Sequence, residues 1–129
     1  MAERKVKFNA ETLKNRIPVW IALSELYLDT EINENTLKYI ANEIKKSSYT
    51  IQEVLDINKY EVFPVLYSNL ISVVGIWDMF DEEWLVNSIL KSYKKNVFFR
   101  AKSAFLYFLF NKNIDNRIKK LLQYVDYNN

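Results

Sequence analysis

The chain has no histidine, no cysteine, a single glycine (Gly75) and two prolines (Pro18 and Pro64) among its 129 residues. Each scarcity removes something. Without histidine, no side chain has an ordinary pKa that would let it shuttle protons near neutral pH. Without cysteine there is no thiolate nucleophile and no disulfide, and with histidine also missing there is no zinc-type ligand set. One glycine cannot build the loop that cradles phosphates in nucleotide-binding proteins. So few turn formers also argue against a sandwich or barrel of many short strands. The most apolar stretch, Val97 to Phe110, is interrupted by Arg100, Lys102 and Ser103. Its length of about 14 residues falls short of the roughly 20 that a spanning helix needs. The first residues, Met1 to Lys7, are charged and lead into no apolar leader segment, so a cytoplasmic location and no membrane partner are expected.

What is present is apolar bulk and separated charge. Half of the residues are apolar, including eight Phe, nine Tyr and three Trp, enough for the core of one domain. Met1 to Ile21 carries five basic and two acidic residues, a net +3. Ala22 to Glu83 carries four basic and twelve acidic, a net −8, and Trp84 to Asn129 carries nine basic and two acidic, a net +7. The overall +2 therefore hides a strong dipole.

Apolar spacing predicts an all-α fold, a single compact bundle of six to seven short antiparallel helices, with residues 1–9 as a mobile basic arm and 10–129 as one domain. The first clear helix is expected from Arg16 to Leu28 with Pro18 in its first turn, although a helix from Ala10 could also run into it. Val19, Trp20, Leu23, Leu26 and Tyr27 form its inner stripe. Glu34 to Lys46 follows, burying Leu37, Ile40, Ala41 and Ile44. Thr50 to Glu53 fits the capping box, opening a helix that carries Ile51, Val54, Leu55 and Asn58. A boundary is expected before Pro64, then a helix to about Val73 stopped by Gly75. Asp81 is the expected N-cap of a helix from Glu82 to about Lys95. Val97 to Phe110, apolar nearly all round, is expected at the centre of the bundle. A last helix from Ile114 to Val125 puts Arg117, Lys119 and Lys120 outside.

The run Arg16-Ile17-Pro18-Val19-Trp20-Ile21-Ala22-Leu23-Ser24-Glu25-Leu26-Tyr27-Leu28-Asp29-Thr30-Glu31 resembles the opening signature of a family of small bacterial proteins. Tyr49 to Glu53, Glu61 to Val65, Asn69-Leu70 and Gly75 to Asp81 resemble the rest of its pattern, so the resemblance covers about residues 16–90. The family carries no settled activity to transfer. Its members are similar in size and style to immunity proteins encoded beside contact-dependent bacterial toxins, which implies a cognate toxin as partner.

Three constellations are candidates for function. The acidic residues Glu25, Asp29, Glu31, Asp78, Asp81, Glu82 and Glu83, with Trp77 and Phe80 on an aromatic connector, suit docking to a basic partner such as a nuclease toxin, since complementary charge speeds and selects association. The plain alternative is that Asp29, Asp81, Glu82 and Glu83 serve helix N-termini and that Trp77 and Phe80 fold back on the core. The same carboxylates could serve catalysis or a metal, with magnesium the ion suited to oxygen-only ligands. No groove signature supports that, so neither an enzyme nor a cofactor or metal is expected. The basic residues Lys91, Lys94, Lys95, Arg100, Lys102, Lys112, Arg117, Lys119 and Lys120 could contact nucleic acid, with Tyr93, Phe98, Phe99 and Tyr107 as stacking surfaces. Those aromatics fall at core spacing, however, and no nucleic-acid-binding motif accompanies them. The leading expectation is an immunity protein that occludes a toxin's active site, with a nucleic-acid-binding accessory protein as the alternative.

Overall fold

The computed structural model describes residues 8–28, 32–71, 81–93, 97–110 and 112–126. Among them the fold is all-α: α1 (Ala10–Ser24), α2 (Glu34–Lys46), α3 (Ile51–Ile57), α4 (Phe63–Ile71), α5 (Glu82–Tyr93), α6 (Val97–Phe110) and α7 (Lys112–Asp126). A 3-10 turn (Glu25–Tyr27) extends α1, and a π turn (Asn58–Val62) joins α3 to α4. Gly75, and with it the expected C-terminal stop, lies outside the described residues.

Local signals set most boundaries. Asn9 opens α1 by accepting the Thr12 N–H at 2.9 Å, and Asn33 opens α2 by accepting that of Thr36 at 2.8 Å. Thr50 and Glu53 form the expected reciprocal capping box. Asp81 accepts the Trp84 N–H at 2.8 Å and starts α5. Each of these side chains satisfies a backbone donor that the first helical turn leaves without a partner.

Neither proline sits where the leading expectation put it, and at Pro18 the alternative of a helix starting at Ala10 holds. Because Asn9 supplies the cap, α1 starts at Ala10 and Pro18 lies in its interior rather than in its first turn. Pro18 and Lys14, whose carbonyl loses its donor, both lie on the exposed side, where water can serve that carbonyl. Pro64 likewise does not follow a chain break. The preceding turn widens to π spacing, with Phe63 N–H bonding to the Asn58 carbonyl, and the backbone runs helically from Ile51 to Ile71. A proline ring collides with the carbonyl four residues before it in a regular α-helix, and a wider turn relieves that collision.

α1 and the π turn form the middle of the bundle. α1 packs on α2, α5 and the π turn, α2 packs on α7, and α4 bridges α5 and α6. Val19, Trp20, Leu23, Leu26, Tyr27, Ile40, Ile57, Phe63, Leu85, Ile89, Ile114 and Leu121 are buried together. Phe8 packs edge-on against Trp20 and Tyr93, with ring centroids 5.4 and 4.9 Å apart. Phe8 and Asn9 therefore belong to the domain rather than to an arm ahead of it, and residues 1–7 lie outside the described residues.

The expectation for α6 is overturned. It is not central: Phe105, Phe108 and Leu109 are 60%, 76% and 51% exposed. Its inner edge holds Leu106 and Tyr107 against the core, with Tyr107 edge-on to Phe63 at 4.7 Å. The buried centre was already filled by α1 and by side chains projecting from the π turn.

Candidate functional site

The signature near the N-terminus is spent on a buried polar network. Arg16 donates Nε–H to Glu61 Oε1 and Nη2–H to Glu61 Oε2, each at 2.8 Å. Trp20 donates its indole Nε1–H to Glu61 Oε1, also at 2.8 Å. The guanidinium lies near the rings of Tyr49 (5.2 Å) and Phe8 (5.7 Å). Burial works against its charge, but the hydrogen bonds and attraction of Glu61, with Tyr49 adding, hold its pKa above the usual value. One turn earlier in the π segment, buried Asn58 accepts the Tyr27 hydroxyl through Oδ1. Burial, then the proximity of Tyr107, push the Tyr27 phenol well above its usual range, while the bond to Asn58 acts the other way. Among the described residues Asn58 Nδ2 has no hydrogen-bonding partner at ordinary distance, although Asn58 lies close enough to the Tyr107 phenol to act on it. The π turn thus aims Glu61 and Asn58 at α1 and its 3-10 extension, tying residues more than 30 positions apart.

The helix held by that network, α1, runs on into the 3-10 turn that borders an acidic surface. Glu25 sits in the 3-10 turn, half-buried, and desolvation raises its carboxyl pKa. Tyr39 of α2 is 41% exposed. Its phenol is raised by desolvation first and then by the fields of Glu43, Glu25 and Glu82, so carboxylates of α2, the 3-10 turn and α5 all act on it. Trp84, in the first turn of α5, is 38% exposed. Asp81, Glu82 and Glu83 are exposed around the start of that helix, and Asp81 doubles as its cap. Tyr39 also borders an open groove between α2 and α7 lined by Asn35, Lys38, Ala41, Asn42, Lys45, Gln123 and Tyr124, so two lysines stand on its α2 side. Of the acidic candidates, Glu25, Asp81, Glu82 and Glu83 are therefore exposed or half-buried. Asp29, Glu31, Trp77, Asp78 and Phe80 lie outside the described residues.

Glu43 was missed because its i, i+3 spacing to Lys46 marks it as an ordinary surface residue, and the two do pair at 3.3 Å. Tyr39 was legible only as an exposed tyrosine. Trp84 was legible only through its place next to Glu83. Among the described residues no three carboxylates are grouped as a metal ion would require.

The basic third is less uniform than its sequence. Arg117 does not face solvent as expected: it donates through Nη1 to the carbonyls of Leu26 (2.6 Å) and Leu28 (3.0 Å), serving acceptors left open where the α1 extension ends. Lys119 pairs with Asp115 one turn away at 3.7 Å. Lys91, Lys102 and Lys120 are exposed. Lys94, Lys95 and the side chains of Arg100, Lys112, Phe98 and Phe99 lie outside the described residues. Tyr93 and Tyr107, proposed stacking surfaces, instead pack on Phe8 and Phe63. Among the described residues no helix is long and apolar enough to cross a membrane.

Fold and network together define an all-α bundle organised about a buried arginine–glutamate pair, with an acidic aromatic face on its surface. The profile of a domain of unknown function, DUF7079, matches residues 14–124, and the chain belongs to that family. The match extends past residue 90 and takes in the basic third that the signature alone left unassigned. Comparison with curated proteins and with solved structures gives no match.

Proposed function

We propose that this chain is a stoichiometric, non-catalytic binding protein, and specifically a bacterial immunity protein that neutralises a cognate toxin by covering its active site. The observation that carries the reading is a pair of exposed aromatics, Tyr39 on α2 and Trp84 on α5, accompanied by exposed Asp81, Glu82 and Glu83 at the start of α5 and half-buried Glu25 in the 3-10 turn. Exposed aromatics within the field of several carboxylates suit a cationic partner, because tyrosine and tryptophan supply much of the energy of interfaces while the carboxylates steer approach. A nuclease is the toxin chemistry that fits, since its active site must attract polyanions. The resemblance to toxin-associated immunity proteins contributes the biological setting. Basic-surface binding of nucleic acid has weaker support, because Arg117, Tyr93 and Tyr107 are engaged inside the fold.

Co-expression with the toxin domain encoded beside this chain tests the proposal. Wild type is expected to rescue growth and co-purify at one-to-one stoichiometry, and a folded Tyr39→Ala, Trp84→Ala, Glu82→Lys variant to lose both. Failure of wild type to rescue or co-purify overturns the immunity reading. Equal rescue by the variant removes the acidic face as the docking surface. Direct RNA or DNA binding that falls steeply with salt and with loss of Lys119 and Lys120 would favour the nucleic-acid alternative.

A further inference from the structure

α6 carries more exposed apolar surface than an isolated domain needs. Ala101, Lys102, Phe105, Phe108 and Leu109 share its outward arc, at i, i+4, i+7 and i+8 spacing from Ala101, with Lys102 on one flank. Given their exposures of 60%, 76% and 51%, Phe105, Phe108 and Leu109 together leave about 350 Å² of apolar surface in water. A patch of that size falls in the range of the largest on an ordinary monomer, roughly 300–600 Å², and such patches are often functional.

We propose that α6 is the seam of a homodimer in which two copies pair antiparallel across a two-fold axis at Phe105. The arc is self-complementary in size. Its small residue, Ala101, lies in the N-terminal half, and its bulk, Phe108 and Leu109, lies in the C-terminal half. An antiparallel pair sets Phe105 on Phe105 of the second copy and brings Ala101 opposite the second copy's Phe108. On the other flank, the aliphatic stem of Lys102 lies along the second copy's Leu109. Large side chains thus meet small or flexible ones, as close packing requires. A two-fold contact also buries the patch twice. The three large residues contribute about 700 Å² in total, and their neighbours bring the contact to roughly the 1,000 Å² at the lower end for a specific interface.

An anionic occupant fits the arc less well. It holds one cation beside three large apolar side chains, whereas helices that lie on acidic surfaces carry lysine and arginine along their polar flanks. The proposal does not rest on the toxin reading, since α6 lies apart from the Tyr39 face.

Sedimentation velocity of the full chain from about 1 µM to about 500 µM spans the affinities expected of a modest interface. The expected result is a mass rising from 15.5 kDa toward twice that value, with Phe108→Ser remaining monomeric at every concentration and retaining wild-type helicity by circular dichroism. The dimer should persist or strengthen as salt is raised, because two copies bring like charges together. A wild type that stays monomeric overturns the proposal, including where it floats with anionic phosphatidylglycerol vesicles. So does a dimer that Phe108→Ser leaves intact, or one that dissociates with salt. A second measurement covers the case in which Phe108→Ser does not fold. The chain has no native cysteine, so Lys102→Cys and Leu109→Cys proteins, which both keep Phe108, can be oxidised alone and mixed. The antiparallel seam requires a disulfide between the two variants in the mixture and none within either alone. Linkage of Lys102→Cys to itself, or no linkage in the mixture, overturns it.

Discussion

Replacing Glu61 by Gln should cost the fold about 3–5 kcal/mol, the range seen when one member of a buried ion pair is removed. Among the described contacts of the wild-type carboxylate, three donors lie at 2.8 Å: Arg16 Nε and Trp20 Nε1 share Oε1, and Arg16 Nη2 holds Oε2. A glutamine keeps one acceptor, enough for Trp20, but sets its own amide donors against Nη2. It also leaves a buried guanidinium with no counter-charge. Arg16→Met leaves the mirror-image fault, a buried carboxylate held by Trp20, and should cost a similar amount. The double variant Arg16→Met, Glu61→Gln should be much less damaged than either fault implies. With no buried charge left, its main defect is an unsatisfied amide, worth about 1–3 kcal/mol. The cycle should therefore show a coupling of several kcal/mol, against the few tenths expected of independent sites. Urea unfolding followed by helical circular dichroism measures all four proteins, provided that slopes agree between variants. A single-variant loss of this size lowers the melting temperature by about 10–20 °C for a chain of this length. A cost below about 1 kcal/mol for Glu61→Gln, or additivity of the two single changes, would refute the idea that this pair holds α1 to the π turn.

Trp20→Ala should cost about 3–5 kcal/mol by loss of a fully buried large aromatic, measured by the same unfolding curves, and a loss under about 1 kcal/mol would contradict its place in the core. Glu25→Gln should stabilise the protein at neutral pH. The folded carboxyl pKa is raised, so stability is lost as pH climbs from the ordinary carboxylate value, about 4, through the folded value, and the variant's advantage should vanish below that window. Melting temperatures across pH 3 to about 8 check it, and a wild type that gains stability over that window relative to Glu25→Gln would reverse the sign. Tyr39 should ionise above the ordinary tyrosine value, and Glu43→Gln should lower that titration without abolishing the shift, since desolvation is the larger cause. Ultraviolet difference titration against a Tyr39→Phe reference isolates the signal, and an unchanged Tyr39 titration in Glu43→Gln would separate the two groups.

Periodicity and caps made most of the helices readable. Thr50 with Glu53 and Asp81 before Glu82 are short-range patterns whose bonds form within the helix they start, so nothing distant can redirect them. The errors have a common cause in long-range competition. Pro64 reads as a break because its local cost is visible in sequence, whereas the Glu61 contacts that keep the chain helical through a π turn depend on Arg16 and Trp20, more than 40 residues away. The same holds for Arg117, whose carbonyl partners lie 91 and 89 residues upstream. Apolarity placed α6 at the centre, but a helix can be apolar on a face that the domain itself does not cover, and composition cannot tell those cases apart.

The acidic face was partly legible for the opposite reason. Glu25, Asp81, Glu82 and Glu83 stand out as charge in sequence, but their relation to Tyr39 arises only when α1, α2 and α5 are locked side by side. That locking passes through the buried pair. Arg16 and Trp20 seat α1 on the π turn, α1 then carries the 3-10 turn with Glu25, and α5, packed on α1, carries Glu82, whose field also acts on Tyr39. Loosening Glu61 should therefore blur the face as well as weaken the fold. In Glu61→Gln protein still folded at low temperature, the Tyr39 titration should shift toward the ordinary tyrosine value, although no residue of the face has been changed. An unaltered Tyr39 titration in that variant would show that the face is assembled independently of the buried pair, and the link from signature to surface would then fail.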